Sequence, residues 1–207
     1  SLSFLMRIIH GTPWGINMAH IFVLIGASGV GKTTLARSVI KAVDKLIMPV
    51  GVTTRPPRWD ERNGIDYRFL SHKKFQQWIQ EGKFIETAFC RNEQYGLLKD
   101  DILNPLDNGF DILTILTNEG LKEFEKLFDQ QIVSLFIAPP SVQVLKKRRR
   151  QRGNWKVITE EDDIFGRNRA YDFKIINDHL GIACQKICQI REWVKTKNHS
   201  DIPSLIP

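Results

Sequence analysis

The sequence is poor in cysteine and contains no long apolar run. Only Cys90, Cys184 and Cys188 occur among the 207 residues, and so sparse and odd a set excludes a disulfide framework and predicts reduced thiols in a cytoplasm. No apolar stretch approaches the roughly 20 residues that a membrane-spanning helix requires. Residues 1–20 hold one arginine and no continuous apolar core, so we expect neither a secretory signal nor a membrane protein.

Metal-binding and nucleic-acid-binding patterns are also weak. Cys184 and Cys188 lie four residues apart, without a CxxC pair and with only His179 nearby, so we expect no metal site there. The formal net charge is +7, yet six of the 30 cationic residues lie in the single segment Lys146–Arg152. That segment could contact nucleic acid, surround a phosphate-rich small ligand, or form a solvated helix face, and nucleic acid is the least favoured of the three.

The order of apolar segments predicts an α/β fold. Apolar residues make up 42% of the chain and charged residues 26%, which is ordinary for a globular protein. Residues 1–17 lack a clean period, so we expect the folded domain to begin near Met18, after an extension that is disordered or a remnant of cloning. Strand-like segments then alternate with helical ones, which is typical of a parallel sheet. The predicted strands are 21–25, 67–70, 84–90, 110–116, 132–138 and 173–177.

Residues 26–34 carry the strongest motif, Gly-Ala-Ser-Gly-Val-Gly-Lys-Thr-Thr. It fits G-x-x-x-x-G-K-[ST] in full, after an apolar strand and before a helical stretch. Glycines let backbone N–H groups turn inward around phosphate oxygens, and the helix N-terminus adds partial positive charge. Lys32 can reach the β- and γ-phosphates, and the Thr33 hydroxyl can ligate Mg²⁺. The motif predicts nucleoside triphosphate binding by Gly26, Ala27, Ser28, Gly29, Val30, Gly31, Lys32, Thr33 and Thr34.

Four further segments match one family. Residues 53–69 hold Thr-Thr-Arg-Pro-Pro-Arg and then Asn-Gly-Ile-Asp-Tyr-Arg-Phe, which is similar to TTRxPRxGExxGxDYxF. Phe-Ile-Glu at 84–86 and Tyr-Gly at 95–96 follow. Residues 136–153 are similar to FIxPPS…LxxRxxxRG. From about Ile21 to Val194 the chain therefore resembles the guanylate kinase family.

The resemblance implies a P-loop NTPase fold, with a parallel sheet flanked by helices. The core would comprise 18–50 and 98–207, with a nucleotide-monophosphate-binding insertion at about 51–97 and a lid at about 153–170. The implied activity is transfer of the ATP γ-phosphoryl group to GMP, with Mg²⁺. The implied roles are acceptor phosphate binding by Arg55, Arg58, Tyr67 and Tyr95, acceptor base binding by Glu86, adenine contact by Arg148, and catalysis by Lys32 and the lid residues Arg152 and one of Arg167 or Arg169.

Elementary chemistry agrees with these roles. An acceptor phosphate carries nearly two negative charges, and planar guanidinium groups bind its oxygens in pairs. Arg55 and Arg58 lie three residues apart in a loop stiffened by proline, so both can converge. A carboxylate such as Glu86 can accept two N–H bonds from a guanine edge. Phosphoryl transfer depends mainly on placement and charge neutralisation, for which Lys32 and Mg²⁺ are suited.

The sequence departs from the family pattern on the acceptor side. Gly51 stands where the family has serine, Leu97 where serine or threonine follows Tyr-Gly, and Ile115 and Thr117 where two aspartates are usual. The stretch between Arg152 and Tyr171 is also shorter than usual. A lost hydrogen bond to a charged group costs about 1.5–3 kcal/mol, so these changes could weaken GMP turnover or change the acceptor.

Two alternatives to a guanylate kinase stay open. A kinase of the same fold could use another phosphorylated acceptor, such as ribose 1,5-bisphosphate, because part of the base-binding apparatus is absent. A non-catalytic binding module is the second alternative, although such modules have usually lost the phosphate loop that Lys32 and Thr33 complete here. The sequence leaves the oligomeric state open.

Overall fold

The computed structural model describes residues 18–90, 92–151, 164–167 and 169–196. The expected extension at 1–17 and most of the expected lid at about 153–170 lie outside the described residues. Within the described part, no helix has both the length and the apolar character needed to cross a membrane.

The core is a five-stranded parallel sheet. Its strands are β1 (Ile21–Ile25), β2 (Leu46–Ile47), β7 (Asp111–Ile115), β8 (Ile132–Ala138) and β9 (Phe173–Ile176). Their spatial order is β2-β7-β1-β8-β9. All neighbouring pairs in this sheet run parallel. The predicted α/β fold with a parallel sheet is therefore confirmed.

Helices cover both faces of this sheet, which explains the continuous apolar run of β1. Phe22 and Leu24 point to one face, where α1 (Lys32–Ala42) and α6 (Leu180–Thr196) pack. Ile21, Val23 and Ile25 point to the other, against α3 (Lys99–Asp107) and α4 (Asn118–Phe128). Helix α5 (Val142–Gln151) follows β8 and contributes Leu145 to the first face.

A second sheet of four strands forms the insertion after β2. Its order is β4-β3-β6-β5. The strands are β3 (Val52–Thr53), β4 (Arg68–Phe69), β5 (Phe84–Cys90) and β6 (Glu93–Leu98), with helix α2 (His72–Gln80) between β4 and β5. The β3–β6 and β5–β6 pairs are antiparallel. Ser71 caps α2 by accepting a hydrogen bond from the Lys74 amide.

The alternation of apolar segments did not predict the short strands β2 and β3 or the strand β6. β2 and β3 have two residues each, too few to show a period. β6 carries polar residues and Gly96, and its place is set by pairing with β5 across the turn at Asn92, whose φ is 63°.

Candidate active site

The phosphate loop, residues 26–34, joins β1 to α1, and its backbone conformation requires glycines. Gly26, Gly29 and Gly31 have φ angles of 141°, 92° and 99°, which side-chain-bearing residues rarely adopt. A Cβ on Gly26 would lie 2.3 Å from the Ile137 carbonyl oxygen of β8. The loop therefore lies directly over the carboxyl end of the sheet, and α1 begins at its last glycine.

Side chains from three directions hold the carbonyl groups of this loop. Lys32 Nζ donates to the carbonyl oxygens of Gly26 and Ala27. Asn177 Nδ2, just after β9, donates to Val30 O at 2.8 Å. Arg149 Nε, from α5, donates to Ser28 O at 2.8 Å. These bonds fix the orientation of four carbonyl groups of the loop, and backbone amides that such a loop turns inward bind an anion.

The ammonium group of Lys32 is perturbed. Burial, and secondly the positive charge of Arg149, lowers the pKa of Lys32 to about 8. An anion bound in the loop would favour the charged form and oppose this shift. A bound phosphate would therefore stabilise the charged form of Lys32.

A cavity of about 250 Å³ opens on one side of the loop. Arg148 borders it, and its Nη2 donates to Asn177 O at 2.9 Å. This is the side on which Arg148 was expected to meet adenine. The lining residues are Gly29, Gly31, Thr34, Arg148, Gln151, Asn177, Asp178 and Leu180.

A larger cavity of about 470 Å³ extends from Thr33 to the insertion. Three of the residues expected to bind the acceptor, Tyr67, Glu86 and Tyr95, line it together. Arg37 of α1 and Asp66 of the insertion also line it and form an ion pair that joins the two parts. The cavity thus connects the phosphate loop with the expected acceptor site.

Arg55 and Arg58 do not line this cavity. The Arg55 Nη2 atom donates to Glu61 Oε1 at 2.9 Å, and its guanidinium lies 5.6 Å from the centre of the Tyr67 ring. The hydrogen bond to Glu61 helps to raise the pKa of Arg55, although burial acts in the opposite direction. Arg58 is 65% exposed and lies 3.6 Å from the same carboxylate. Glu61 therefore holds the loop that carries both arginines.

Glu86 lies against the first turn of α4. A Cβ on Gly120 would lie 2.8 Å from Glu86 Oε1, so a larger residue there would force this carboxyl group to move. Burial raises the pKa of Glu86 to about 7. A carboxyl group with this pKa is poised to ionise when it receives hydrogen bonds from a ligand.

Two of the four substituted residues make the cavity wall more apolar. Ile115 and Leu97 both line the cavity, and Leu97 is 7% exposed. The Thr117 hydroxyl is engaged as the N-cap of α4 and accepts from the Gly120 amide at 3.1 Å. Gly51 lets the Tyr67 ring pack closely, 3.0 Å from where a Cβ would stand.

The two described lid arginines, Arg167 and Arg169, contact different parts of the protein. Arg152 lies outside the described residues. Arg169 Nη2 donates to Glu125 Oε1 of α4 at 2.6 Å, and Arg167 stacks over the Phe165 ring at 5.6 Å. Neither described arginine contacts the phosphate loop in the hydrogen bonds or ion pairs of the described residues.

Sequence reasoning missed two residues that hold the phosphate loop, Arg149 and Asn177. The sequence left Arg149 among the cations that could contact nucleic acid, surround a phosphate-rich ligand or form a solvated helix face, but it is 2% exposed. A signal was present, because Leu145 and Arg149 are four residues apart and share the buried face of α5. Asn177 ends an apolar strand, where parallel strands present ligand-binding groups.

Comparison with known proteins agrees with this geometry. The family model described as guanylate kinase matches residues 18–192. A guanylate kinase of Coxiella burnetii is 31% identical over 84% of this chain and 87% of its own length. One of Rhodopseudomonas palustris is 35% identical over 88% of this chain and 86% of its own length. The crystal structure of guanylate kinase from Anaplasma phagocytophilum superposes with a TM-score of 0.73 at 26% identity, covering 88% of this chain and 89% of that one. The chain belongs to the guanylate kinase family.

Proposed function

We propose that this protein transfers the γ-phosphoryl group of ATP to GMP, forming ADP and GDP. The observation that carries the proposal is the single cavity that runs from Thr33 at the phosphate loop to Glu86 and the two tyrosines. Family membership supports the same reaction. The scarcity of cysteine favours a reducing compartment such as the cytoplasm.

The loop and its lysine would hold the donor. Inward amides and Lys32 bind the β- and γ-phosphates, and Arg148 borders the cavity that suits the adenine. Lys32 neutralises charge that builds up on the transferred group, so its contribution is greatest in the transition state.

The insertion would hold the acceptor. Tyr67 and Tyr95 offer hydroxyl donors to its phosphate, and the ionised Glu86 carboxylate accepts two N–H bonds from guanine. Arg55 and Arg58 would join the phosphate from the loop that Glu61 holds. We propose the lid arginines Arg152, Arg167 and Arg169 as further charge-neutralising groups during transfer.

The residues present fit a magnesium ion bound together with ATP. Thr33 places a hydroxyl at the border of the larger cavity, and Mg²⁺ typically keeps several waters and takes one or two protein ligands beside phosphates. The described residues hold no group of three or more His, Cys, Asp or Glu side chains suited to a metal. Thr33 would therefore be the protein ligand, and the ion would neutralise phosphate charge when bound.

The decisive experiment is ADP release in the presence of ATP, Mg²⁺ and GMP. We expect release well above a control without GMP, and its loss in Lys32→Ala. Equal ADP release with and without GMP would contradict the proposal. ATP binding that depends on Lys32 would also count against a purely peptide-binding module.

A kinase with a different phosphorylated acceptor is the second candidate. Ile115 and Leu97 favour it, because they place apolar side chains where the family pattern has polar ones. A panel of acceptors that includes AMP, GMP and ribose 1,5-bisphosphate separates the two. A kcat/KM highest for GMP supports the first candidate, and one highest for a sugar phosphate supports the second.

A further inference from the structure

Arg149 is a buried cation directly beside the phosphate loop. It lies on α5 within a run of cations, yet it is 2% exposed while its neighbour Arg150 is exposed. It is also the largest of the fully buried side chains in the described residues. Burying a charged group is costly unless its surroundings or a ligand compensate, so this position calls for an explanation.

The side chain follows the backbone of the loop closely. Its Nε donates to Ser28 O at 2.8 Å, and its Cγ would lie 2.9 Å from a Cβ on Gly29. Gly29 is therefore the residue that allows the arginine stem to pass. The hydrogen bond turns the Ser28 carbonyl outward, two residues before the Val30 carbonyl that Asn177 holds.

The charge of Arg149 is permanent and lies near Lys32. An arginine does not lose its proton in proteins, so Arg149 brings a fixed positive charge to the loop. Further charged residues line the two cavities that border the loop in the described part of the chain. They are Arg148 and Asp178 at the smaller cavity, and Arg37, Lys41, Arg62, Asp66 and Glu86 at the larger one.

We propose that Arg149 is a positioning residue for the triphosphate: it holds the Ser28 carbonyl outward and adds a fixed positive charge beside the place of the phosphates. The proposal rests on the proposed function, since it takes the loop to bind ATP. It assigns to a buried member of the 146–152 cluster a role that differs from that of its exposed neighbours.

Three substitutions separate the donor from the charge. Arg149→Met removes both, Arg149→Gln keeps an N–H donor without charge, and Arg149→Lys keeps the charge without the planar fork. Arg150→Met is the matched control, because it removes the same charge from an exposed position on the same helix. Calorimetry measures the Kd of ATP and of inorganic triphosphate at pH 7, after circular dichroism has shown that each variant is folded.

For the folded proteins we expect Arg149→Met to weaken binding of both ligands about tenfold or more, as for a lost hydrogen bond to a charged group. Arg149→Gln and Arg149→Lys should each weaken binding, but less than Arg149→Met, because each keeps one of the two properties. Arg150→Met should change neither Kd by more than about twofold.

Wild-type Kd values in Arg149→Met would overturn the proposal. If Arg149→Met does not fold, the Gln and Lys variants decide. Wild-type Kd values in both of those variants would show that Arg149 only fills space. Failure of the wild type to bind either ligand would overturn the proposed function itself, so the two failures are distinguishable.

Discussion

Arg191 Nε, on the last helix, donates to Asp111 Oδ2 at 2.8 Å, and the Asp111 side chain is completely buried at the start of β7. The other oxygen of this carboxylate accepts from the His20 amide at 2.9 Å, and Lys195 Nζ lies 3.3 Å from Oδ2. One carboxylate therefore links α6 to β7 and to the residue that precedes β1.

Removing this carboxylate should destabilise the fold strongly. Asp111→Ala would leave the buried Arg191 guanidinium without its buried carboxylate, and breaking a buried ion pair in this way costs about 3–5 kcal/mol. Urea denaturation measures the loss. Glu192→Ala is the control, because Glu192 also pairs with Arg191 but is 67% exposed, so a loss below about 1 kcal/mol is expected. Equal losses of unfolding free energy in the two variants would show that the buried ion pair contributes no more to stability than the exposed one.

Replacing Glu86 by glutamine should make the protein more stable at neutral and alkaline pH. The pKa of Glu86 is raised by burial from 4.5 to about 7, so the folded state binds more protons than the unfolded state between these values. The wild type therefore loses stability as pH rises from 4.5 to 7, and the Gln variant does not.

We expect a gain of the order of 1–2 kcal/mol for Glu86→Gln at pH 8 that vanishes near pH 4.5, after reduction of the full shift for partial exposure. Denaturation at pH 4.5, 6 and 8 measures it. In the same series the wild-type KM for GMP should rise as pH falls below 7, since the protonated carboxyl cannot accept two N–H bonds. A KM for GMP that does not change across this range would contradict the role of Glu86.

Adding one methyl group at Gly120 should weaken the binding of the acceptor and leave the binding of ATP unchanged. In Gly120→Ala the new Cβ would lie 2.8 Å from Glu86 Oε1 and displace it. We expect the KM for GMP to rise about tenfold, as for a lost hydrogen bond to a charged group, and the KM for ATP to stay within about twofold. Helical stability should not suffer, because alanine favours helices over glycine by about 0.5–1 kcal/mol.

Gly181→Ala is the matched control for this substitution. Gly181 lies in the first turn of α6, and a Cβ there would meet nothing within 4 Å. Wild-type kinetics are expected for this variant. Parallel increases of both KM values in Gly120→Ala would indicate a general disturbance of the fold and would contradict a specific effect on Glu86.

Lys32→Met should remove most of the turnover while the protein stays folded. The loss of a preorganised charge at the transferred phosphoryl group costs about 10²–10³ in kcat. Steady-state ADP release with saturating ATP measures it, and a thermal melt checks folding. A kcat within tenfold of the wild type would exclude Lys32 from the phosphoryl transfer.

Local patterns were sufficient for the parts of this protein whose structure depends on neighbours along the chain. The apolar run 21–25 predicted a strand, which the structure has at Ile21–Ile25, and the motif at 26–34 predicted a loop whose glycines turn its backbone inward. Ser71 caps α2 through the Lys74 amide, which is only three residues away. In each case the physical cause acts over a few residues and leaves a mark in the sequence.

Contacts between distant segments had no such mark. Arg149 and Ser28 are separated by 121 positions, so nothing in the run of six cations marks Arg149 as buried except its spacing from Leu145. The ion pair of Arg37 with Asp66, and the closeness of Glu86 to Gly120, likewise depend on how the insertion packs on the core.

The linear order of residues fixed the α/β class, the phosphate loop and the family, because these follow from hydrophobic period and from a motif whose parts are contiguous. The tertiary structure decided which cation is buried, which carboxyl group is desolvated and where the cavity opens. These properties depend on how α5, the insertion and the strand ends pack against one another. Those properties arise from the exclusion of water between surfaces that are far apart in the chain, and this exclusion exists only in the folded molecule.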